Sequence, residues 1–450
     1  MKFGFNSILC LYDAKNQIKT RIMLVEFTVS NFRSIHEPQT WSMVAAPALK
    51  EWEDRNTFLA PPPAKNLRLL RSAALYGPNA AGKSTLVEAL HFMKQQVVNS
   101  ARESQQGDLI PVVPFKLTAD SRAADSEFSV QFIEAGKRYE YGFRCNKVRF
   151  TEEWLYAYPT ARAQKWFHRV YDAQTGKDAY APFSEHFLGG QQRHVWAKET
   201  RPNALFLSRC MQSNNEQLSP VFEWFSQRLR VVPRPEALRS DFTVKQCEDP
   251  KVRAEVLGFL NAADLSIDGI RLEHQPFSTD MLPPKLSDAM RQELTTHLKG
   301  KDLTRVKFQR RDTATGDMIE FDDDEESDGT RALFAFAGPW LDVINQSRVL
   351  VVDELDSSLH PLVVRHLVAM LQNGGTQAQL LFTTHDTTLL SQKLLRRDQV
   401  WFVEKNGQRE ARLYPLSDFS PRENEAIERG YLNGRYGGIP NLQDLDFYGA

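Results

Sequence analysis

Gly77, Pro78, Asn79, Ala80, Ala81, Gly82, Lys83 and Ser84 place two glycines, a lysine and a hydroxyl at the spacing G-x-x-x-x-G-K-[ST], with Thr85 next in line. Glycines at those positions let backbone N–H groups curl around phosphate oxygens, and a helix starting there adds partial positive charge. Lys83 would bridge the phosphates of a bound nucleotide and Ser84 would ligate Mg²⁺. Far downstream, Arg348-Val-Leu-Val-Val is an apolar run ending in Asp353 and Glu354. In a nucleotide site the aspartate holds the Mg²⁺ shell and the adjacent glutamate can polarise an attacking water. Two carboxylates closing a strand are a weak signal alone, and they gain force only beside the phosphate loop.

The elements that must position these groups are legible around them. Ser72 to Tyr76 is a short apolar run feeding Gly77, and TLVEALHFMKQQVV after Ser84 has apolar residues at helical spacing. Strand, glycine-rich turn and helix form the setting that a phosphate loop requires. From Met23, LVEFTVSNF alternates as a half-buried strand, and a Pro-containing loop with Pro61, Pro62 and Pro63 follows. FSVQFIEAGKRYEYGF reads as a hairpin turning at Ala135-Gly136, with a third strand near Glu153 to Tyr158. Residues 215–300 read as mainly helical, and their prolines, Pro233, Pro235, Pro276, Pro283 and Pro284, together with the missing heptads, argue against a long coiled coil. VKFQRR and MIEF read as a strand pair before the acidic run Asp322 to Glu326, itself read as a solvated loop. Then come a helix from Gly329 with Pro339 able to kink or end it, the strand VLVVDE, a helix near Leu359 to Gln372, the strand LLFTT and the strand VWFVE. That alternation predicts an α/β fold with a parallel sheet covered by helices.

The chain of 450 residues has 42% hydrophobic and 25% charged residues, ordinary for a globular protein, and a net charge of −1 that argues against coating nucleic acid by charge alone. A local basic groove is still compatible with that balance, so nucleic acid binding stays open. The cysteines Cys10, Cys145, Cys210 and Cys247 form no C-x-x-C pair, which favours a reducing, cytoplasmic setting over a disulfide or zinc framework. No apolar run reaches about 18 residues, so no membrane span is expected.

In order and content, these motifs resemble the ABC-type ATPases of the SMC, RecF and OLD class. Asp353-Glu354 is followed by Leu355-Asp356-Ser357-Ser358-Leu359-His360-Pro361, similar to their D-loop. Thr383-Thr384-His385 is similar to their switch histidine, and Glu326-Ser327-Asp328-Gly329-Thr330-Arg331 to their signature motif. The resemblance implies ATP and Mg²⁺ as ligands, Asp356, Ser327 and Gly329 as nucleotide contacts, and His385 beside Glu354 and Lys83 in catalysis. It also implies a head-to-tail sandwich dimer, in which the signature of one copy covers the nucleotide held by the other. A glutamine on Mg²⁺ is expected from the class, with Gln131 as its candidate carrier.

The tail is similar to the stand-alone bacterial ATPases typified by RloA and AbiL and related to PtuA. The residues carrying this are Val400-Trp-Phe-Val-Glu-Lys405, Leu413-Tyr-Pro-Leu-Ser-Asp418 and Gly430-Tyr-Leu-Asn-Gly434-Arg435-Tyr436-Gly437-Gly-Ile-Pro440. This implies a part in anti-phage defence beside a separately encoded effector, such as a Toprim or HNH nuclease. A nuclease within this chain is not expected: Glu404, Asp444 and Asp446 could be forced into a Toprim-like set, but only 46 residues follow Glu404, against about 100 for such a domain. A RecF-like repair or chromosome clamp, and a scaffold with negligible turnover, are the alternatives. The expected organisation is an extension at 1–22, the first part of an ATPase head at 23–200, a helical insertion or lid at 201–300, and the rest of the head at 301–450.

Overall fold

The computed structural model describes residues 22–440 apart from 62, 63, 65, 236, 237, 280, 281, 283–285, 301, 358, 374, 391–393, 423 and 424. The expected extension at 1–22 therefore lies outside the described residues but for its last position. Pro62, Pro63, Pro283, Pro284, Ser358, Asp444 and Asp446 lie outside them as well. The chain divides into two compact units. The first draws on Met1–Arg234, Val343–Asp356 and Val364–Ala450, and the second on Pro235–Asp342 and Ser357–Val363.

Two large sheets build most of the first unit, beside a two-stranded one of Thr57–Leu59 and Arg68–Leu70. One is a six-stranded sheet in the order Leu229–Val232, Val349–Val352, Gln379–Thr383, Ser72–Tyr76, Val400–Lys405, Ala411–Pro415. The first five strands run parallel and the last pairs antiparallel. Its central strands are apolar but for Ser72, Gln379 and Thr383 because both faces are covered, as a parallel sheet requires. Val349, Leu350, Val351 and Val352 are each 0% exposed, worth about 1.5–3 kcal/mol apiece in apolar burial.

The other is a seven-stranded antiparallel sheet in the order Lys177–Tyr180, Gln164–Asp172, Phe150–Tyr158, Lys137–Cys145, Ser126–Glu134, Met23–Ser30, Gln39–Ser42. The hairpin turns at Ala135-Gly136, both with positive φ, and its third strand pairs as expected. One apolar core runs from this sheet (Phe27, Phe128, Phe143) through the helix Lys83–Asn99 (Leu86, Leu90) to the six-stranded sheet (Leu75, Val351, Val403).

The second unit holds the helices Asp241–Gln246, Pro250–Ala262 and Asp288–Leu298 and a three-stranded sheet of Gly269–Pro276, Asp302–Arg311 and Met318–Asp322. The mainly helical reading of 215–300 needs correction at two places: Leu229–Val232 is a strand of the first unit, and Gly269–Pro276 is a strand here. The four residues of Leu229–Val232 are too few to separate the two periods, and Gly269–Pro276 carries a single β-branched residue, Ile270. Among the described residues no long coiled coil occurs.

The helix Asp328–Gln346 does not stop at Pro339 but runs through it. Proline has no N–H for the carbonyl four residues back, here Ala335. Thr243, itself 0% exposed, fills the gap: its hydroxyl donates to Ala335 O at 3.0 Å and accepts the Gly338 N–H at 3.1 Å. Gly338 is needed for that approach, since a Cβ there would stand 2.6 Å from Thr243 Oγ1 and 2.9 Å from Thr243 Cα.

Candidate nucleotide site

The chemistry-bearing residues of the first unit sit just past the C-terminal ends of three adjacent strands. Gly77 follows Ser72–Tyr76, Asp353 follows Val349–Val352, and His385 lies two residues beyond Gln379–Thr383. Open parallel sheets place ligands at that edge.

The phosphate loop is shaped by what lies behind it. A Cβ on Gly77 would run into the Val403 carbonyl oxygen and stand 2.9 Å from Val403 Cγ1. Gly82 has φ +121, and a Cβ there would meet Ala411 Cβ at 2.7 Å and Ser34 Oγ at 2.9 Å. Ser34 also donates from its hydroxyl to Thr85 Oγ1 at 3.0 Å and accepts the Ala411 N–H at 2.8 Å. Ala80 holds φ 60 and Ala81 donates its N–H to Pro78 O at 3.2 Å, closing the turn. Asn79 and Ala80 are exposed, Pro78 and Ser84 half-buried, and Ala81 and Thr85 buried.

Lys83 is folded back over this loop: its Nζ donates to Gly77 O at 2.9 Å and Pro78 O at 3.2 Å. Burial pushes its pKa down, and the carboxylates of Asp353, Glu354 and Asp356 push back. The same three carboxylates act on His385, whose pKa is held below the usual imidazole value by partial desolvation and by the Lys83 ammonium. Lys83, Asp353, Glu354, Asp356 and His385 thus form one electrostatic cluster.

Thr383 organises that cluster, and no motif pointed to this role. Its hydroxyl donates to Asp353 Oδ1 at 2.6 Å and accepts the Glu354 N–H at 2.7 Å, while its carbonyl accepts the Leu355 N–H at 3.0 Å. The signal available was a threonine closing the otherwise apolar run Leu380-Leu381-Phe382. Glu354 itself is held at φ 51 with its side chain exposed. A left-handed backbone costs a non-glycine residue roughly 1–2 kcal/mol, and such strain persists where surrounding structure over-determines it. Asp356 Oδ2 accepts the His385 N–H at 3.1 Å, and its Oδ1 is buried with no partner among the described residues. A glycine cradle, a lysine, hard oxygen donors at Ser84 and Asp353, and an orphaned carboxylate oxygen suit a triphosphate with a divalent cation.

The Gln131 amide nitrogen donates to Glu26 Oε1 at 2.7 Å across the antiparallel sheet. Glu404 is structural, its Oε2 accepting the Gly438 N–H at 3.0 Å. The tail aromatics face inward: Tyr431 and Tyr436 stack on Phe402 at 5.2 and 6.2 Å. Ser327 and Gly329 belong to the second unit. There Ser327 Oγ accepts the Thr330 N–H at 3.1 Å and so caps the helix Asp328–Gln346. The acidic run before it is not simply solvated, because Glu326 is buried against Arg310.

Comparison with solved structures finds an SMC head bound to the C-winged helix domain of ScpA at 10% identity and TM-score 0.39, covering 87% of this chain and 97% of that one. The SMC head domain from Thermotoga maritima aligns at 12% identity and TM-score 0.38, covering 87% and 98%. The ATP form of the recombination mediator RecF aligns at 12% identity and TM-score 0.32, covering 83% and 96%. No curated protein matches the chain. No helix among the described residues is long and apolar enough to cross a membrane. Residues 72–208 and 255–391, more than half of the chain, match the family described as "AAA domain, putative AbiEii toxin, Type IV TA system". These stretches begin at the phosphate-loop strand and end past His385, so the chain belongs to that family, and its fold is α/β with mixed sheets.

Proposed function

We propose that this chain binds ATP at the Gly77–Thr85 loop and hydrolyses it, with each site completed by the Ser327–Gly329 segment of a second copy. The observation that carries the reading is the Thr383 lock, which ties Asp353 and Glu354 to Gln379–Thr383, the strand paired with the one that delivers Lys83. Gly77 to Thr85 surround the phosphates, Lys83 leaves its two loop carbonyls for phosphate oxygens, and Asp356 orients the switch segment. Ser84 and Asp353 would hold Mg²⁺, which when bound supplies positive charge against the charge developing on the phosphates. Glu354 accepts a proton from the attacking water, and His385, kept neutral, hydrogen-bonds beside it.

The assembly acts as sensor, regulator or scaffold of an anti-phage system of the abortive-infection type, controlling a separate effector such as a Toprim or HNH nuclease. Support for this part is the tail resemblance alone. Glu354→Gln tests the core of the proposal. It should lower turnover by about 100-fold or more and stabilise an ATP-dependent assembly in sedimentation velocity. A variant that neither slows turnover nor traps ATP would sink the assignment. DNA or RNA cleavage by the purified chain alone, lost in Lys83→Ala, would overturn the division of labour.

A further inference from the structure

Glu326, the residue before Ser327, has a side chain only 5% exposed. A carboxylate is seldom that buried unless it is paired. Its partner is Arg310 on the strand Asp302–Arg311, with Nη1 meeting Oε1 and Nη2 donating to Oε2 at 3.0 Å. Two parallel charge-assisted bonds fix direction as well as distance. The guanidinium stands 5.1 Å over the ring of Phe321, on the neighbouring strand Met318–Asp322. Its pKa is raised by the hydrogen bond and the charge of Glu326, so the cation is secure.

One peptide bond further on, Ser327 Oγ lies 2.9 Å from Thr330 Oγ1 and accepts the Thr330 N–H, while Ser327 O accepts the Arg331 N–H at 3.0 Å. An N-cap hydroxyl alone sets only where a helix begins. The approach of the chain into that cap is set from Arg310.

We propose that Arg310 is a positioning residue for the signature segment, holding Glu326 so that Ser327 and Gly329 meet the phosphates of a nucleotide carried by a second copy in one fixed orientation. This rests on the dimer reading given above. Lysine keeps the charge at this position but cannot engage both carboxylate oxygens in one plane.

The test uses the full chain with Arg310→Ala, Arg310→Lys and the swap Arg310→Glu with Glu326→Arg, each checked for its melting transition. Three quantities are read: affinity of the dilute single chain for a fluorescent ATP analogue, ATP-dependent self-association, and kcat with KM. Arg310→Ala should lower kcat by about tenfold or more and weaken association, with analogue affinity changed less than about twofold. Arg310→Lys should fall between, and the swap should recover part of both losses. Unchanged kcat and association in Arg310→Ala, or a parallel loss of analogue affinity, would overturn the inference. If Arg310→Ala fails to fold, Arg310→Lys and the swap decide by the same readouts. Ser327→Ala and Gly329→Asp separate the two layers. If both leave association and kcat unchanged, the signature reading falls with this one. If they abolish both while Arg310→Ala does not, only the role of Arg310 falls.

Discussion

Thr383 ends a buried strand with a hydroxyl that serves a carboxylate and an amide at once. Thr383→Val keeps the volume and removes both bonds. Leaving such groups unsatisfied costs about 1–3 kcal/mol, so the variant should melt earlier and turn over ATP more slowly, while Thr383→Ser should restore much of both. Thermal unfolding and steady-state turnover measured side by side check this. His385 gives a prediction in pH. An unfolded imidazole titrates near about 6.5, and in the fold burial and Lys83 hold it lower. Its contribution to stability is therefore whole above that unfolded value and is lost as pH falls through the lowered folded value. NMR titration of the ring, assigned against His385→Gln, should give an apparent pKa below the ordinary one; a value at or above it would contradict the cluster. At this scale the strand–turn–helix around Gly77 to Ser84 and the strand ending at Asp353 were legible from their apolar runs and glycine spacing. Thr383 was not, because an isolated threonine in an apolar strand has many uses and only the register with Val349–Val352 selects one.

The helix Asp328–Gln346 shows how an element can break a local rule and be repaired from a distance. Thr243, 96 positions before Pro339, supplies the hydrogen bonds that proline removes. Gly338→Ala would drive a methyl into Thr243 backbone and side chain, and overpacking of this kind costs about 1–3 kcal/mol. The denaturant midpoint should fall accordingly, and the smaller Thr243→Gly in the same chain should recover less than half, because it reopens the unpaired groups. Strand–loop–helix around Gly77 and the Ala135-Gly136 hairpin could be read from pattern. Leu229–Val232 could not, since four residues fit either period and what makes them a strand is pairing with Val349–Val352. Pairing partners more than a hundred residues away are invisible to a local window.

At the scale of the whole chain, the tail closes the first unit. Tyr431 donates to Gly438 O at 2.8 Å, Tyr414 to Tyr436 O at 3.1 Å, and Thr387 Oγ1 to Glu428 Oε1 at 3.0 Å, next to the switch segment. Removing residues 427–450 uncovers Phe402 and loses two buried tyrosines, about 3–6 kcal/mol of burial. A truncated chain should unfold well below the full one in a calorimetric scan, and an unchanged transition would show that the tail is an appendage. The strand order has a consequence for synthesis. The strand that delivers the phosphate loop finds both of its sheet neighbours, Gln379–Thr383 and Val400–Lys405, more than 300 residues further along the polypeptide. At about 5–20 residues per second, a ribosome leaves that strand waiting roughly 15–60 s for the nearer of them. The nascent chain therefore carries the phosphate loop before the acids that share its sheet edge, and the edge formed by Gly77, Asp353 and His385 can assemble only after residue 385 has been made.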